Sequence, residues 1–455
     1  MKNLEVKNHK DISKYKSREF LRRISNSILF ETSCRRQCMK KIIFCNLDLL
    51  KRKNLESEYP DYDFTNFDYE QLSTKRMLFI KGMEKLCEED QNIIWFYSRN
   101  KELLILAKET LEGAGYQNFY YKYRQDVKEL TQNNSNKNAF FVFVGAKDDD
   151  FYLAVNSKSL FIVPGWLPKQ SKTFQYGIHV SSVKQLVKFV RTLNNQNHWY
   201  AELKIDEISK CISLMDAKYI ANSITVQEKD MMENFNKLLK KNQSRGYYKI
   251  LLYHFLAGIT NIDLFNDIEL FGMIPSSDCT VNQDVFSFMT EVRLIKGKRL
   301  PKNGMSQQEP EMQNLIIRHT SKRKAHGRRT PIERANMGGK EEFETLKINP
   351  LFQNKIEALA KKGKLNICIF DDYMTHGNSF NAVRNMLKTL GANKIIFVSL
   401  GIFKYPFQKK EYEIKGSVFE EGFQYRLDES ITLNNYVIEE KAKQEVSDLY
   451  HIFYS

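Results

Sequence analysis

The sequence predicts an α/β protein built from two mostly parallel sheets that a helical segment connects. Three observations lead to this prediction: short apolar runs alternate with amphipathic stretches, the alternation occurs twice along the chain, and the stretch between has apolar residues at helical spacing. With 455 residues and 42% hydrophobic content, the chain is long enough for two or three domains. No apolar run approaches the roughly 20 residues of a membrane-spanning helix, so we expect no membrane insertion.

A positive net charge indicates anionic partners. The 70 lysines and arginines exceed the 55 acidic residues by 15, which favours nucleotides, phosphorylated sugars or nucleic acid as ligands. Much of the excess lies in a basic N-terminal arm, residues 1–40, and in residues 318–340. Either segment could contact a nucleic acid or a protein, or be a solvated basic surface. Because the N-terminus lacks an apolar signal core and the seven cysteines are odd in number, we expect a cytoplasmic protein with reduced thiols.

The first α/β pattern covers residues 41–170. Strand-like apolar runs start near residues 41, 92, 139 and 159, and amphipathic stretches with helical spacing follow the first two. Strands and helices that alternate at these lengths are typical of βα units in a parallel sheet. We therefore expect one α/β domain here.

A helical connector or hood is predicted for residues 171–265, where apolar residues recur at i, i+3 and i+4. One of its stretches, residues 205–221, reads IDEISKCISLMDAKYIA. The second α/β pattern covers residues 266–405 and ends in a strand, a helix and a strand, with Gly391 as the signal for the end of the helix. The tail, residues 406–455, is mixed and charged and indicates no role.

The strongest functional signal lies in residues 365–380, LNICIFDDYMTHGNSF. Its apolar run predicts a buried strand, so Asp371 and Asp372 fall at the carboxyl edge of a sheet, where α/β proteins bind ligands. The turn after them offers a glycine and side-chain donors, and the next helix points its N-terminal N–H groups at the same place. We expect acceptors for sugar hydroxyls or a hydrated metal next to donors for a phosphate. The predicted phosphate-binding turn consists of Thr375, His376, Gly377, Asn378 and Ser379.

This segment resembles the phosphoribosyl diphosphate (PRPP) motif of type I phosphoribosyltransferases. ICIFDDYMTHGNS has the apolar strand, two acids, two variable residues and a loop with glycine, with His376 and Ser379 at two Thr positions of the motif. The resemblance covers about residues 250–405 and implies a Rossmann-like domain that uses PRPP and Mg²⁺. It implies that Asp371 and Asp372 hold the ribose hydroxyls and, through water or ribose, the metal. The alternative is an acidic strand end in an unrelated Rossmann-like domain.

Two upstream segments resemble parts of the same family. FGMIPSSD would supply a strand and the short loop for diphosphate, formed by Pro275, Ser276 and Ser277, although it lacks the basic residue or extra glycine that is frequent there. The basic stretch after residue 318 resembles the mobile loop that closes over PRPP in the competence-associated branch of the family. Its candidates for covering the diphosphate are Arg318, Lys322 and Arg328. The alternative is a charged surface that faces solvent or nucleic acid.

The first α/β pattern resembles the haloacid dehalogenase-like (HAD) hydrolases, also Rossmann-like, over about residues 40–165. In FCNLDLL, Asn46 stands at the position of the nucleophile and Asp48 at that of the acid/base; Ser98 matches the phosphate-binding hydroxyl. In FVGAKDDDF, Asp150 matches a metal-binding acid, but Ala146 stands where another is expected. Since an amide is a poor nucleophile and missing carboxylates weaken Mg²⁺ binding, we expect this domain to be inactive as a phosphatase.

Together these patterns predict a Mg²⁺-dependent phosphoribosyltransferase domain, acting on PRPP and an unidentified acceptor, fused to an inactive HAD-like domain. One alternative is a protein with the same fold but no catalytic activity, which either senses PRPP or a nucleotide or serves as a scaffold. The other is a nucleic-acid-associated effector, such as a toxin or antiviral component acting on nucleotides, which the two basic segments favour.

Overall fold

The computed structural model describes residues 41–50, 74–132, 140–193, 199–217, 226–241, 248–301, 308–322 and 339–454. The basic N-terminal arm (1–40) and Arg328 lie outside these residues. The chain divides into two compact units, residues 1–195 and 196–455. In the described part of the chain, no helix has both the length and the apolar character needed to cross a membrane.

The first unit is an α/β unit with a six-stranded parallel sheet, as the alternating pattern predicted. Its strands are β1 (Lys41–Asn46), β2 (Ile93–Ser98), β3 (Phe119–Tyr123), β4 (Phe140–Val144), β5 (Leu160–Pro164) and β6 (Ile178–Val180). Its helices are α1 (Thr74–Glu88), α2 (Lys101–Gly113), α3 (Arg124–Gln132), α4 (Asp148–Asn156), α5 (Ser171–Gln175) and α6 (Val183–Thr192).

The strand order in this sheet is β3-β2-β1-β4-β5-β6, and all neighbours are parallel. Strand β1 is central and buried along its whole length, which explains the unbroken apolar run from Ile42 to Cys45. The order changes direction at β1, so the carboxyl ends of β1, β2 and β4 surround the place where open α/β sheets bind ligands. Residues 171–193, which we predicted to belong to a helical connector, instead add α5, β6 and α6 to this unit.

The second unit contains a mixed sheet and two small antiparallel ones. Its strands are β7 (Ala201–Lys204), β8 (Ser209–Asp216), β9 (Leu270–Met273), β10 (Ile316–Arg318), β11 (Leu346–Ile348), β12 (Asn366–Met374), β13 (Lys394–Ile402), β14 (Phe407–Lys415), β15 (Gln424–Leu433) and β16 (Val437–Ile438). Its helices are α7 (Val226–Lys241), α8 (Tyr248–Asn261), α9 (Gln283–Ile295), α10 (Pro310–Gln313), α11 (Lys340–Phe343), α12 (Gln353–Lys361), α13 (Asn378–Thr389) and α14 (Glu440–Tyr454).

The main sheet of the second unit has the order β16-β7-β8-β13-β12-β9. The four strands from β8 to β9 are parallel, and β7 and β16 are antiparallel additions at one side. The carboxyl ends of β8, β13, β12 and β9 therefore meet at one edge. This edge carries the residues that the sequence singled out.

The prediction of helix for residues 205–221 is wrong for residues 205–217; residues 218–221 lie outside the described residues. Residues 201–216 form the antiparallel pair β7 and β8, and β8 enters the sheet next to β13. All but one residue of β8 is buried. A strand that is covered on both faces shows no alternation of apolar and polar residues, so its apolar positions matched helical spacing by coincidence.

The tail, which indicated no role from its sequence, is part of the second unit. Helix α14 packs against α8 and β8, and the β14–β15 hairpin packs against α13. Two carboxamides on α13 pair with the backbone of β14 in the manner of a neighbouring strand. Asn381 Nδ2 donates to the Gln408 carbonyl and its Oδ1 accepts from Lys410 N–H at 3.2 Å. Asn385 repeats this pattern one turn later with the Lys410 carbonyl and the backbone N–H of Tyr412, both at 2.9 Å.

Candidate active site

The segment 365–380 forms the strand, turn and helix that its sequence predicted. Strand β12 lies between β9 and β13, and its apolar residues are fully buried. Helix α13 begins at Asn378, directly after the turn. Gly377 adopts the left-handed conformation with φ of +75°, and a Cβ atom there would lie 2.0 Å from the ring of Phe407. Only glycine fits this turn without displacing the aromatic ring.

Asp371 and Asp372 lie at the carboxyl edge of the sheet, inside the end of β12 rather than after it. The neighbour β9 ends at Met273, opposite Phe370, whereas β13 continues alongside β12 to Ile402. Both carboxylates are half-buried. Burial and then the negative charge of Asp371 raise the pKa of Cys211 on β8, which places the Asp371 carboxylate within electrostatic reach of that strand.

The same edge carries a second polar cluster, which the sequence analysis missed. Lys404 follows β13, and its Nζ atom lies 2.8 Å from Asp216 Oδ2 at the end of β8 and 3.0 Å from the Tyr200 hydroxyl. That hydroxyl donates to Asp216 Oδ2 at 2.7 Å. Lys404 has a φ of +56°, an uncommon conformation for a residue with a side chain. Because residues 205–221 were predicted to be helical, Asp216 was not recognised as a strand end.

The predicted diphosphate loop follows β9 and is held by its own backbone. Ser276 N–H donates to the Thr280 carbonyl at 2.8 Å, and Cys279 has a φ of +70°. The Ser277 carbonyl accepts a hydrogen bond from Lys322 N–H at 2.8 Å. Pro275, Ser276 and Ser277 thus lie against the basic segment that the sequence assigned to the same ligand.

Two residues of the basic segment and one residue of the predicted phosphate-binding turn contact the same carboxylate, that of Glu342 on α11. Arg318 Nη2 lies 2.8 Å from Glu342 Oε2 and 3.5 Å from the Pro275 carbonyl. The Ser379 hydroxyl, in the first turn of α13, donates to Glu342 Oε1 at 2.7 Å, and Lys322 Nζ contacts the same oxygen. Arg318, Lys322 and Ser379, which we predicted to bind the ligand, therefore share a protein partner that the sequence analysis did not name.

Glu342 is ionised in this environment. Its burial alone would raise its pKa, but the charges of Lys322 and Arg318 and the hydrogen bonds from Lys322 and Ser379 outweigh burial and lower the pKa to about 2. Two cations and one carboxylate leave a single positive charge in the cluster. The cluster thus remains attractive to an anion, although a carboxylate already occupies part of its hydrogen-bonding capacity.

His376 and Thr375 take different positions in the turn. The His376 ring is buried and stacks on Tyr405 with 4.9 Å between ring centroids, and its Nδ1 atom lies 3.4 Å from the Pro406 carbonyl. Thr375 is exposed. His376 therefore holds the turn against the start of the hairpin, whereas Thr375 faces solvent.

No group of three or more His, Cys, Asp or Glu side chains is arranged to hold a metal ion among the residues with described positions. Asp371 and Asp372 are a pair of hard oxygen donors. Mg²⁺ is commonly held by one or two carboxylates together with substrate phosphates and water, so a pair suffices when the substrate completes the coordination.

In the first unit, the HAD-like positions also come together. Asn46 Nδ2 donates to Asp150 Oδ1 at 2.7 Å, and Asp48 lies close by, with its N–H donating to Asn46 Oδ1 and its carboxylate 2.5 Å from Lys147 Nζ. The Ser98 hydroxyl accepts a hydrogen bond from the backbone N–H of Asn100 at 3.1 Å. The position of Ala146 supplies no acidic side chain to this cluster.

Asp150 is fully buried, and protein groups occupy its oxygens. Besides Asn46, the Tyr97 hydroxyl donates to Oδ1 at 2.9 Å, Arg124 Nη1 lies 3.3 Å away, and Lys147 N–H donates to Oδ2 at 3.3 Å. Burial raises the pKa of Asp150, while these hydrogen bonds and the Arg124 charge oppose the increase. Tyr97 and Arg124 were not recognised from the sequence. They occupy acceptor capacity that a metal ion would otherwise use.

No protein-family model, curated protein or solved structure matches this chain. The geometry of the two clusters is therefore the basis on which a function can be proposed.

Proposed function

We propose that the second unit binds PRPP at the carboxyl edge of its sheet and acts as a Mg²⁺-dependent phosphoribosyltransferase of Rossmann-like fold. The observation that carries the proposal is the convergence of three distant stretches. The loop at Pro275, the basic pair Arg318 and Lys322, and Ser379 at the start of α13 meet around Glu342. They do so at the sheet edge that also carries the aspartate pair of the PRPP-like motif.

In this proposal each group has a defined task. Asp371 and Asp372 accept hydrogen bonds from the ribose hydroxyls and hold Mg²⁺ through water or ribose. The N–H groups at the start of α13 and the Ser379 hydroxyl bind the 5′-phosphate. Transfer breaks the anomeric C–O bond, so negative charge grows on the departing diphosphate. Lys322 stabilises that charge by contact, and the buried Arg318 stabilises it through its electrostatic field. Bound Mg²⁺ supplies further charge neutralisation on the diphosphate.

Calorimetric titration of the full chain with PRPP, with and without Mg²⁺, tests the proposal. We expect Mg²⁺-dependent binding that weakens about tenfold or more in Asp371→Asn/Asp372→Asn, since charge-assisted hydrogen bonds to the ribose are lost. A matched double neutralisation, Asp267→Asn/Glu269→Gln, changes two acids at the opposite end of the sheet, before β9, and should bind as the wild type does. Equal binding by all three proteins, or binding by none, would refute the assignment.

A second candidate, a PRPP or nucleotide sensor without turnover, is favoured by the Glu342 contacts. A ligand phosphate must displace or rearrange a carboxylate that already pairs with Arg318, Lys322 and Ser379. Diphosphate release in the presence of a panel of nucleobases separates the two functions. A transferase releases diphosphate with at least one acceptor, whereas a sensor binds PRPP and releases none. The effector alternative depends on the two basic segments, residues 1–40 and 318–340; the first, and residues 323–338 of the second, lie outside the described residues.

For the first unit we propose a HAD-like fold that is inactive as a phosphatase. The reason is that Asn46 and Tyr97 donate to the very carboxylate, Asp150, that would have to hold a metal, and Ala146 offers no second ligand. The full chain should not hydrolyse p-nitrophenyl phosphate with Mg²⁺. Hydrolysis that disappears in Ser98→Ala would contradict this proposal, because it would show that the motif positions still perform chemistry.

A further inference from the structure

The first unit contains a cavity of about 290 Å³ next to the HAD-like cluster, and Arg124 belongs to both. Its walls come from the residue after β2, from the end of β3 with α3, and from α4. None of the five HAD-like positions lines it. Cavities of this size are at the lower end of the range for small-molecule sites, so the space suits a ligand no larger than a mononucleotide.

The charged side chains in the cavity wall are all basic: Arg99, Arg124 and Lys128. Arg99 forms an ion pair with Asp149 at 2.7 Å, but both side chains are more than half exposed, so this contact is weak and easily exchanged. Lys128 is exposed and has no ion-pair partner within the described part of the chain. The wall therefore presents a surplus of positive charge to an anionic ligand.

Arg124 differs from the other two because its guanidinium is fixed. It lies 3.3 Å from the buried Asp150 carboxylate, donates to the Asp149 carbonyl, and is 16% exposed at the side chain. A cation that is held in place loses little side-chain freedom when it binds an oxyanion. The cavity thus combines one rigid cation with two mobile ones.

Aromatic and amide groups complete the wall. Tyr152 on α4 is 48% exposed, and Tyr123 lies at the end of β3 with Lys101 Nζ 5.3 Å from its ring centroid. Gln132 and Asn156, which carry carboxamides, also line the cavity. Exposed aromatic rings stack on nucleobases, and carboxamides pair with the donor and acceptor groups on base edges.

We propose that this cavity binds a mononucleotide, with Arg99, Arg124 and Lys128 on the phosphate and Tyr152 against the base. The assignment gives the inactive HAD-like unit a ligand-binding role and does not depend on the function of the second unit. A free phosphate would use the cations alone and a nucleoside the ring alone. Only a phosphorylated nucleoside uses both sets of groups.

The test is calorimetric titration of the full chain with AMP, GMP, CMP and UMP, and separately with inorganic phosphate and adenosine. We expect at least one mononucleotide to bind, with phosphate and adenosine each about tenfold weaker or worse, because each lacks one set of contacts. Lys128→Glu and Arg99→Glu should each weaken nucleotide binding about tenfold or more, since one charge-assisted contact is replaced by repulsion. Tyr152→Ala should weaken it about fivefold or more through lost stacking.

Matched controls isolate the cavity. Lys188→Glu makes the same charge change at an exposed lysine on α6, and Tyr120→Ala removes a ring of similar exposure on β3; neither lines the cavity. Both should bind as the wild type does. The proposal is overturned if no mononucleotide binds, if phosphate or adenosine binds as tightly, or if the control variants lose as much affinity as the cavity variants.

Discussion

Replacing Glu342 by glutamine should destabilise the second unit strongly and in a pH-dependent way. Glutamine keeps the shape of the side chain and an acceptor for the Ser379 hydroxyl, but it removes the charge that balances Arg318 and Lys322. The Arg318 side chain is only 1% exposed, so it cannot recover its lost partner by turning to water. Leaving one charge of a buried pair uncompensated costs about 3 to 5 kcal/mol.

The pKa of Glu342 gives a second value for the free energy by which its charge stabilises the fold. A carboxyl with a pKa of about 2 in the fold, against an ordinary value of 4.5, stabilises the folded state by about 3 kcal/mol at neutral pH. Because the folded-state pKa is the lower one, this stabilisation is fully present above pH 4.5 and is lost as the pH falls toward 2. About 2 kcal/mol should remain at pH 3.5 and under about 1 kcal/mol at pH 2.5.

The measurement is urea unfolding of the full chain, followed by tryptophan emission at pH 7, 5 and 3.5. Trp95 and Trp166 belong to the first unit and Trp199 to the second, where it is 2% exposed. In a Trp95→Phe/Trp166→Phe background the signal therefore reports the second unit alone. The free energy of unfolding should differ between Glu342→Gln and its parent by about 3 kcal/mol at pH 7, and less at pH 3.5.

Glu344→Gln is the matched control, since it makes the same change two residues away at a side chain that is 51% exposed and 3.9 Å from Lys340. It should cost under about 1 kcal/mol at every pH. The reasoning is refuted if the two variants lose the same stability, or if the deficit of Glu342→Gln stays constant between pH 7 and 3.5.

Two further predictions concern the turn before α13 and the HAD-like cluster. Gly377→Ala places a Cβ atom in a left-handed backbone and against the ring of Phe407, whereas Gly391→Ala shares the left-handed backbone, with φ of +80°, but has its nearest contact at 3.7 Å. In the Trp199 assay, we expect the free energy of unfolding to fall by about 3 kcal/mol in Gly377→Ala and by about 1 kcal/mol in Gly391→Ala. Equal losses would contradict the clash with Phe407. Asn46→Asp sets a second carboxylate beside Asp150, where the amide now lies 2.7 Å away. Because two neighbouring carboxylates raise the pKa of one of them in the folded state, the variant should lose more stability at pH 8 than at pH 5, as followed by Trp95 and Trp166 emission during urea unfolding. A urea midpoint that equals that of the wild type at both pH values would contradict this prediction.

The sequence predicted strands correctly where a strand is buried on both faces and its residues form a continuous apolar run. Strands β1, β2 and β13 lie within the runs that predicted them, whereas β12 includes its apolar run and continues past it to Met374. The turn at Gly377 was also predictable, because the need for glycine depends on local backbone conformation. Strand β8 is also buried on both faces, but Ser209, Lys210 and Ser213 interrupt its apolar residues, so its sequence fits helix and strand equally well.

The candidate site was predictable only in part. Arg318, Lys322 and Ser379 were singled out, yet their common partner Glu342 lies 24, 20 and 37 positions away from them in the sequence. No local sequence pattern indicates which acidic and basic residues will form an ion pair at such separations, because their proximity depends on the tertiary structure. The same holds for Arg384, a wholly buried guanidinium on α13 that pairs with Glu411 at 2.8 Å and with Asp206.

The spacing of Asn381 and Asn385 on α13 matches the spacing of backbone groups along strand β14. Residues four apart on a helix rise about 6 Å along its axis, and residues two apart on a strand are separated by about 6.8 Å. Because these two distances are similar, Asn381 and Asn385 can form hydrogen bonds with alternate residues of β14. The helix thus pairs with the edge of the hairpin as a further strand would. After a slip of the hairpin by a single residue, both amides would face residues whose N–H and C=O groups point away from the helix, toward β15. The helix therefore fixes the register of β14, whose pairing with β15 contains a bulge.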